Sequence, residues 1–366
     1  MLTLHEVVPY LIARKLVRTA LVVAGAVHIE DASRRNRNFM VVCDGGPSYM
    51  IKQGVDDDGR ATVACEAAFY SQFERLGPSA RLAPHLPRMY GYDTEAGIVV
   101  LELCRELHDL RTHHLQKGQL PRRVATALGA ALSAIHQMPP PTGLATALRG
   151  PPDILSLHRP SLQLFSEVSS GVLRLVQVVQ HAPEFTRDLD TLRKEWRGET
   201  LVHGDLRWDN CLVGRPASRG RTPPLKIVDW EMSRLGDPCW DLGSVFGDYL
   251  VIWLASMPLT GEAQLNEAMS MARYPLERLQ PAMRAFWRAY VRGMGLDPTA
   301  AAAWLKRAVS YGAAWLIQSA FEQAQAATDL TTTLIYQLQL SHNMLREPDR
   351  AAVALLGIAD PAEGEP

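Results

Sequence analysis

His203-Gly204-Asp205-Leu206-Arg207-Trp208-Asp209-Asn210, followed by Lys226-Ile227-Val228-Asp229-Trp230-Glu231, is the stretch on which the rest of the chain turns. Asp205 and Asn210 stand five positions apart in a short polar loop, and Asp229 comes nineteen residues after Asn210, at the end of an apolar run. That order suits phosphoryl transfer. One carboxylate can orient or deprotonate an acceptor hydroxyl; the other, with an amide oxygen, can hold magnesium against nucleotide phosphates. HxD and Asn are also common turn formers, so the surroundings decide the reading.

The surroundings are those of a two-lobed globular chain. A length of 366 residues, 47% of them hydrophobic, supplies core for two lobes. A formal net charge of -1 argues against nucleic acid or an anionic membrane as the main partner. Five scattered Cys without a CxxC argue against disulfides and zinc and for a reducing, cytoplasmic setting. Glu6, Arg14 and Lys15 interrupt the N-terminal apolar pattern, which is therefore unlike a signal peptide. The longest apolar uncharged run, Tyr249 to Gly261, is too short to span a bilayer. The tail Asp360–Pro366 reads as frayed.

Periodicity divides the chain unevenly. Residues 4–20 read as a helix, then Leu21–Ile29, Phe39–Cys43 and Ser48–Lys52 as strands of an antiparallel meander. Asp56-Asp57-Asp58-Gly59 reads as a loop, Ala61–Leu76 as a helix stopped by Gly77-Pro78, and Arg88–Tyr92 and Gly97–Leu103 as two further strands. After residue 104 helices dominate: Arg122–Gln137, ended by Met138-Pro139-Pro140-Pro141, then segments near 153–180, 185–197, 241–256, 275–294, 298–325 and 328–345. Only Cys211–Val213 and Leu225–Val228 read as strands there. The expected class is α+β, with residues 1–103 a small lobe of antiparallel sheet plus helix for the nucleotide. Residues 104–366 form a large helical lobe with the catalytic loop and the acceptor site.

Two further residues complete the set. Lys52 ends the apolar strand Tyr49-Met50-Ile51, in a chain with six Lys against 32 Arg, and would contact the nucleotide phosphates. Glu66, in the following helix, would pair with Lys52 and direct it. Singly, each could be a solvated strand end or an exposed helical acid.

His203-x-Asp205-x-x-x-x-Asn210 resembles the catalytic loop of kinases, with Gly204 where many protein kinases carry Arg, and Asp229 stands where their metal-chelating Asp precedes Phe-Gly. Together with Gly236-Asp237-Pro238-Cys239-Trp240-Asp241-Leu242-Gly243 and the helix end Ala131-Leu132-Ser133-Ala134-Ile135-His136, the chain resembles the aminoglycoside phosphotransferase and choline kinase-like family. The resemblance implies a bilobal protein kinase-like fold with ATP between the lobes. It implies Asp205 as the catalytic carboxylate, Asn210 and Asp229 as Mg2+ ligands, and Lys52 with Glu66 on the phosphates. Glu102-Leu103-Cys104 would be the hinge meeting adenine, and Asp241 a structural support behind the catalytic loop. His203 would be scaffold.

The turn Asp31–Phe39 departs from the Gly-rich turn of many kinases. Asn38 before Phe39 matches a degenerate turn seen in the family and would place Asn38, or Ser33, Asn36 and the neighbouring Arg side chains, at phosphate; the alternative is a solvated basic hairpin. The acceptor is a hydroxyl-bearing small molecule or a peptide. In the family, biosynthetic members modify peptide Ser/Thr, after which a partner lyase eliminates the phosphate; others inactivate aminoglycosides. Glu262, Glu267, Glu277 and Glu322 are spread out rather than clustered, which favours a tailoring kinase over a site for a polycation. The region's aromatics, among them Trp304, Tyr311 and Trp315, are more often core. A pseudokinase-like binding module is the competing reading, prompted by the glycine-free turn and opposed by the intact Lys, Asp, Asn and Asp set.

Overall fold

The computed structural model describes residues 1–75, 82–118, 120–139, 150–160, 168–216, 218, 221–259 and 265–359. Gly77-Pro78, Pro140-Pro141, Glu262 and the tail from Asp360 lie outside them. The chain divides into two compact units. The first gathers Met1–Leu110 with Asp209–Ser233, and the second holds Arg111–Pro139, Thr146–Trp208 and Arg234–Pro366. Compared with a single cut after residue 103, the hairpin bearing Asn210 and Asp229 thus joins the first unit.

In the first unit, strands β1 (Val27–Asp31), β2 (Arg37–Cys43), β3 (Tyr49–Gln53), β4 (Met89–Asp93) and β5 (Ile98–Glu102) form one antiparallel sheet in the order β1-β2-β3-β5-β4. The period-two alternation does the sorting. Phe39, Val41, Tyr49 and Ile51 are buried with Val7 and Leu11 of helix α1 (Val7–Ala13), while Met50 and Lys52 alternate onto the other face of β3. Asn38 stands opposite Lys52 in the register. A second sheet joins β6 (His108–Asp109), β8 (Cys211–Val213) and β9 (Leu225–Ile227) in the order β6-β8-β9.

Three local expectations are corrected here. The single helix over 4–20 is two, α1 and α2 (Thr19–Val23), separated by Lys15 at φ 60°. The expected strand Leu21–Ile29 begins inside α2, whose Val23 is 84% exposed, and β1 starts only after Gly25 turns the chain at φ 68°. Local β-propensity in Leu-Val-Val is therefore overridden by a helix end that a glycine can cap. Helix α3 spans Asp57–Arg75, not Ala61 onward. The Asp56-Asp57-Asp58 run is its start: Asp56 Oδ1 accepts from Gly59 N at 2.7 Å, and Asp57 and Asp58 lie in the first turn, where carboxylates favour the helix dipole.

The second unit is mainly helical: α5 (Arg122–His136), α6 (Ser170–Gln180), α7 (Pro183–Lys194), α8 (Pro238–Ala255), α10 (Leu276–Met294), α11 (Pro298–Ala324), α12 (Thr332–Arg346) and α13 (Pro348–Ala354), with short α4 (Leu110–Lys117) entering it and α9 (Leu265–Ser270) before α10. Of the helix expected over 153–180, the described residues show a 3-10 turn at Asp153–Ser156 and α6, and residues 161–167 lie outside them. A two-stranded ladder of β7 (Thr200–Val202) and β10 (Arg234–Gly236), too short to carry an alternating pattern, brackets the Asp205 loop. No helix among the described residues is long and apolar enough to cross a membrane.

Glycines let the helices touch backbone to backbone. A Cβ on Gly129 of α5 would lie 2.3 Å from Phe286 O of α10, and one on Gly243 of α8 would lie 2.5 Å from Gly312 N of α11. The obstruction in each case is main chain, which cannot swing aside. Gly243→Ala should therefore cost about 3 kcal/mol by overpacking, seen as a lower urea midpoint at unchanged m-value; an unchanged midpoint would show that the two helices can separate freely.

Candidate active site

The chemistry-bearing residues of the first unit converge on one cavity of about 390 Å³. Asn38, Lys52, Glu66, Glu102, Cys104, Asn210 and Asp229, predicted from distant parts of the chain, all line it. Met50, Leu101, Leu212 and Val228 supply an apolar wall. Glu66 is fully buried rather than an exposed helical acid. Its Oε2 lies 2.7 Å from Lys52 Nζ, the pairing the sequence predicts, and Lys52 Nζ also donates to Asp229 Oδ1 at 2.5 Å. Burial alone would lower the Lys52 pKa, but the Glu66 and Asp229 carboxylates outweigh it and hold the ammonium above the usual lysine range.

Asp229 is set by its backbone as much as by its partners. It sits in the left-handed region, φ 68° and ψ 58°, which costs a non-glycine residue about 1–2 kcal/mol. The following residue offsets this cost. Trp230 N donates to Glu66 Oε1 at 3.2 Å, its indole Nε1 to Ile227 O at 3.0 Å, and its ring stacks on Phe69 of α3 with centroids 3.8 Å apart. Glu66 thus bonds both to Lys52 and to the turn that aims Asp229.

The glycine-free turn is closed by side chains. Asp31 Oδ1 accepts from Ser33 N at 2.9 Å, and Ser33 Oγ accepts from Asn38 N at 3.1 Å. Among the described residues Asn38 Oδ1 is buried with no hydrogen-bond partner, beside the cavity that its residue lines. Asn36 points elsewhere, its Nδ2 lying 3.3 Å from Thr62 Oγ1 and 3.5 Å from Glu231 Oε2. At the hinge, Glu102 N donates to Arg88 O and Leu103 N to Ser48 O, so these two amides are spent within the sheet. Glu102 Oε2 is held by Lys226 Nζ at 2.6 Å, and burial pushes the Cys104 thiol up to about 11.

In the second unit, Asp205 lies in a loop whose backbone is held by the buried helix α8. Asp241 Oδ2 accepts from His203 N at 2.7 Å and Oδ1 from Gly204 N at 3.0 Å; Trp240 Nε1 donates to Gly204 O at 2.9 Å. Ser244 Oγ donates to Leu206 O at 2.7 Å, and Asp248 Oδ2 accepts from Trp208 N at 2.7 Å. His136 Nε2, 3.2 Å from Asp241 Oδ2, is the donor, since an ionised carboxylate only accepts, and its Nδ1 then accepts from the Tyr290 hydroxyl at 2.8 Å. Burial opposes ionisation of Asp241, but the hydrogen bonds prevail and keep its pKa below the usual carboxylate range. Asp241 and His136 were legible in the sequence; Ser244 and Asp248 were not. Their signal is a polar i, i+3, i+7 stripe in an otherwise apolar, buried helix.

Among the described residues Asp248 has no paired cation at hydrogen-bond distance. It accepts from Trp315 Nε1 at 2.9 Å and from Trp208 N, and burial pushes its carboxyl up to about 6, against about 3.9 for an unfolded Asp. A raised native pKa means that its stabilising contribution is full below about pH 4 and is lost as pH rises through about 6. Relative to Asp248→Asn, which has no carboxyl to titrate, the wild type should lose roughly 2 kcal/mol of unfolding free energy between pH 4 and 7. Denaturant titrations at both pH values would measure it; parallel pH profiles would contradict the assignment.

Comparison with known proteins now places the chain. Residues 30–289 match the model of the phosphotransferase enzyme family. Three solved structures superimpose over nearly the whole chain. A choline/ethanolamine kinase family protein from Mesorhizobium loti is 17% identical, with 94% of this chain and 98% of that one covered and a TM-score of 0.51. A choline kinase from Cryptosporidium parvum is 12% identical, with 94% and 96% covered and a TM-score of 0.53. Amicoumacin kinase hAmiN, solved with AMP-PNP, Ca2+ and Ami, is 14% identical, with 93% and 96% covered and a TM-score of 0.53. At these identities the likeness establishes the fold, an α+β protein kinase-like fold with a small antiparallel-sheet lobe and a large helical lobe. A mouse acyl-CoA dehydrogenase family member 10 is 32% identical over 100 residues, 27% of this chain but only 8% of that protein. The family match spans the sheet, the Asp205 loop and the Asp229 turn together, and the chain belongs to the phosphotransferase enzyme family.

Proposed function

We propose that this phosphotransferase moves the γ-phosphoryl group of ATP to a hydroxyl, with Mg2+. The observation that carries the reading is the convergence of Lys52, Glu66, Asn210 and Asp229 on one cavity, with Lys52 held protonated between two carboxylates. A fixed ammonium binds nucleotide phosphates as a point charge. The donors available for a cation there are a carboxylate and an amide oxygen, a hard set that suits Mg2+. Among the described residues no group of three or more His, Cys, Asp or Glu could hold a metal. Asn210 and Asp229 would hold Mg2+, which when bound neutralises charge on the phosphate oxygens.

The other roles follow from placement. Glu66 directs Lys52 and braces the Asp229 turn. Asn38, opposite Lys52 on β2, and Arg34, also on the cavity wall, face the phosphates in place of glycine backbone. Glu102 to Cys104 border the adenine, where the two spent amides leave recognition to Cys104 and the apolar wall. In the second unit Asp205 accepts the hydrogen bond of the acceptor hydroxyl and takes up its proton as the oxygen attacks phosphorus.

The acceptor we propose is a small metabolite or a peptide Ser/Thr rather than a polycationic antibiotic. Glu322, the acidic residue paired nearest the Asp205 loop, is bonded twice to Arg207 and so is not a vacant carboxylate for an amine. Transfer of label from γ-labelled ATP with Mg2+ into size-fractionated extract of the source organism tests this. Label in small molecules supports a metabolite, label in peptides supports Ser/Thr, and sole labelling of added aminoglycoside would overturn the acceptor class. Asp205→Asn should lower transfer in any fraction by roughly 10²-fold or more, with ATP affinity held within about twofold; undiminished transfer would remove Asp205 from the mechanism. Lys52→Ala should raise the KM for ATP roughly tenfold, a loss of about 1.4 kcal/mol in phosphate binding, which initial rates against ATP concentration would show.

A further inference from the structure

Arg207, two residues after Asp205, has no part in the reaction as set out so far, yet it holds the Asp205 carboxylate. Its Nε lies 3.0 and 3.1 Å from the two carboxylate oxygens and its Nη2 lies 2.6 Å from Oδ1. The other edge of the same guanidinium meets Glu322 of α11, Nη1 at 2.9 Å from Oε2 and Nη2 at 3.0 Å from Oε1. The Arg207 Cζ lies 5.3 Å from the centroid of the Trp315 ring. Each of these supports is itself tied down. Gln318 Nε2 donates to Glu322 Oε1 at 2.8 Å, and Trp315 Nε1 donates to Asp248, which in turn binds Trp208 N of the Asp205 loop.

These contacts close a ring: Asp205, Arg207, α11 through Glu322 and Trp315, α8 through Asp248, and back to the loop at Trp208. An aspartate has two rotatable bonds, and a carboxylate that must meet a hydroxyl productively has to be held within about 0.5 Å and 10–20°. A planar fork bonded to both carboxylate oxygens fixes the carboxylate plane as well as its position. A lysine offers one point charge and cannot span two carboxylates in one plane. Arg207 also counters the burial that raises the Asp205 carboxyl pKa.

We infer that Arg207 is a positioning residue for Asp205 and that Glu322 and Trp315 hold it in that role. The inference rests on the reading of Asp205 as the carboxylate that orients the acceptor. It also assigns Glu322 to the enzyme's own geometry and not to acceptor binding.

The test uses the full chain with MgATP and water as probe acceptor, following phosphate release together with MgATP affinity. Arg207→Lys should lower kcat by roughly 30-fold and Glu322→Gln by roughly tenfold, each with MgATP affinity within about twofold. Glu322→Asp should recover part of the loss, because it keeps the carboxylate. In an Asp205→Asn background Arg207→Lys should do no further harm, since there is no carboxylate left to position. Wild-type rates in Arg207→Lys and Glu322→Gln, with Asp205→Asn inactive, would overturn the inference and leave the proposed function standing. So would losses that simply multiply in the double variant. A wild-type rate in Asp205→Asn would instead remove the reading on which the inference rests.

Discussion

The loop from His203 to Trp208 runs through the interior of a helical unit, and its peptide groups must find partners there. An unpaired N–H or C=O in such a place costs about 1–3 kcal/mol, enough to unfold a marginally stable loop several times over. Helix α8 meets the demand. It is buried along almost its whole length, yet presents Asp241, Ser244 and Asp248 to the loop, and Trp240 adds a donor for Gly204. The same helix is closely packed against α11 through Gly243 and Gly312, so the surface holding the loop cannot drift. The position of Asp205 is therefore inherited from helix packing rather than from the loop's own preferences.

The first unit solves a different problem, which is to hold one cation and two carboxylates together in a half-buried place. Lys52 emerges on the cavity face because strand alternation sends Tyr49 and Ile51 into the core. Glu66 is brought to it by α3, and Trp230, stacked on Phe69 of that helix, carries Asp229 in at a left-handed backbone. Removing either carboxylate leaves a buried ammonium short of a counter-charge, and removing the lysine leaves the two acids facing each other. Each member is needed for the others to remain charged.

Much of this was readable in the residues alone, for reasons that differ by position. That Lys52, Asn210 and Asp229 meet at one cavity was legible because chemistry restricts which residue types can serve such a place, and spacing then orders them; the same spacing marked Asp205 as a candidate. Glu66 was legible only through Lys52. Asp241 stood out within a motif, but Ser244 and Asp248 did not. A polar residue in a helix ordinarily means a wet face, and only the loop's hidden peptide groups explain why these are dry. Arg207 was quoted yet unread for the same reason, since its second partner, Glu322, lies 115 residues away. Errors in the elements arose where local preference lost to context: Leu-Val-Val at α2, and three consecutive aspartates that start α3 instead of forming a loop ahead of it.

The wiring of the Asp205 loop also has a kinetic consequence. Its partners lie 36 to 115 residues along the chain, on α8 and α11. Contacts of such sequence separation carry a loop-closure cost before they give any return, so they form late. The geometry around Asp205 is then among the last features to mature as the chain folds, and, on the role proposed for Asp205, a small opening of α11 would be enough to silence the enzyme while most of the fold persists. On gentle heating, activity would fade ahead of the main unfolding transition, and it would return on cooling without the delay of a complete refolding.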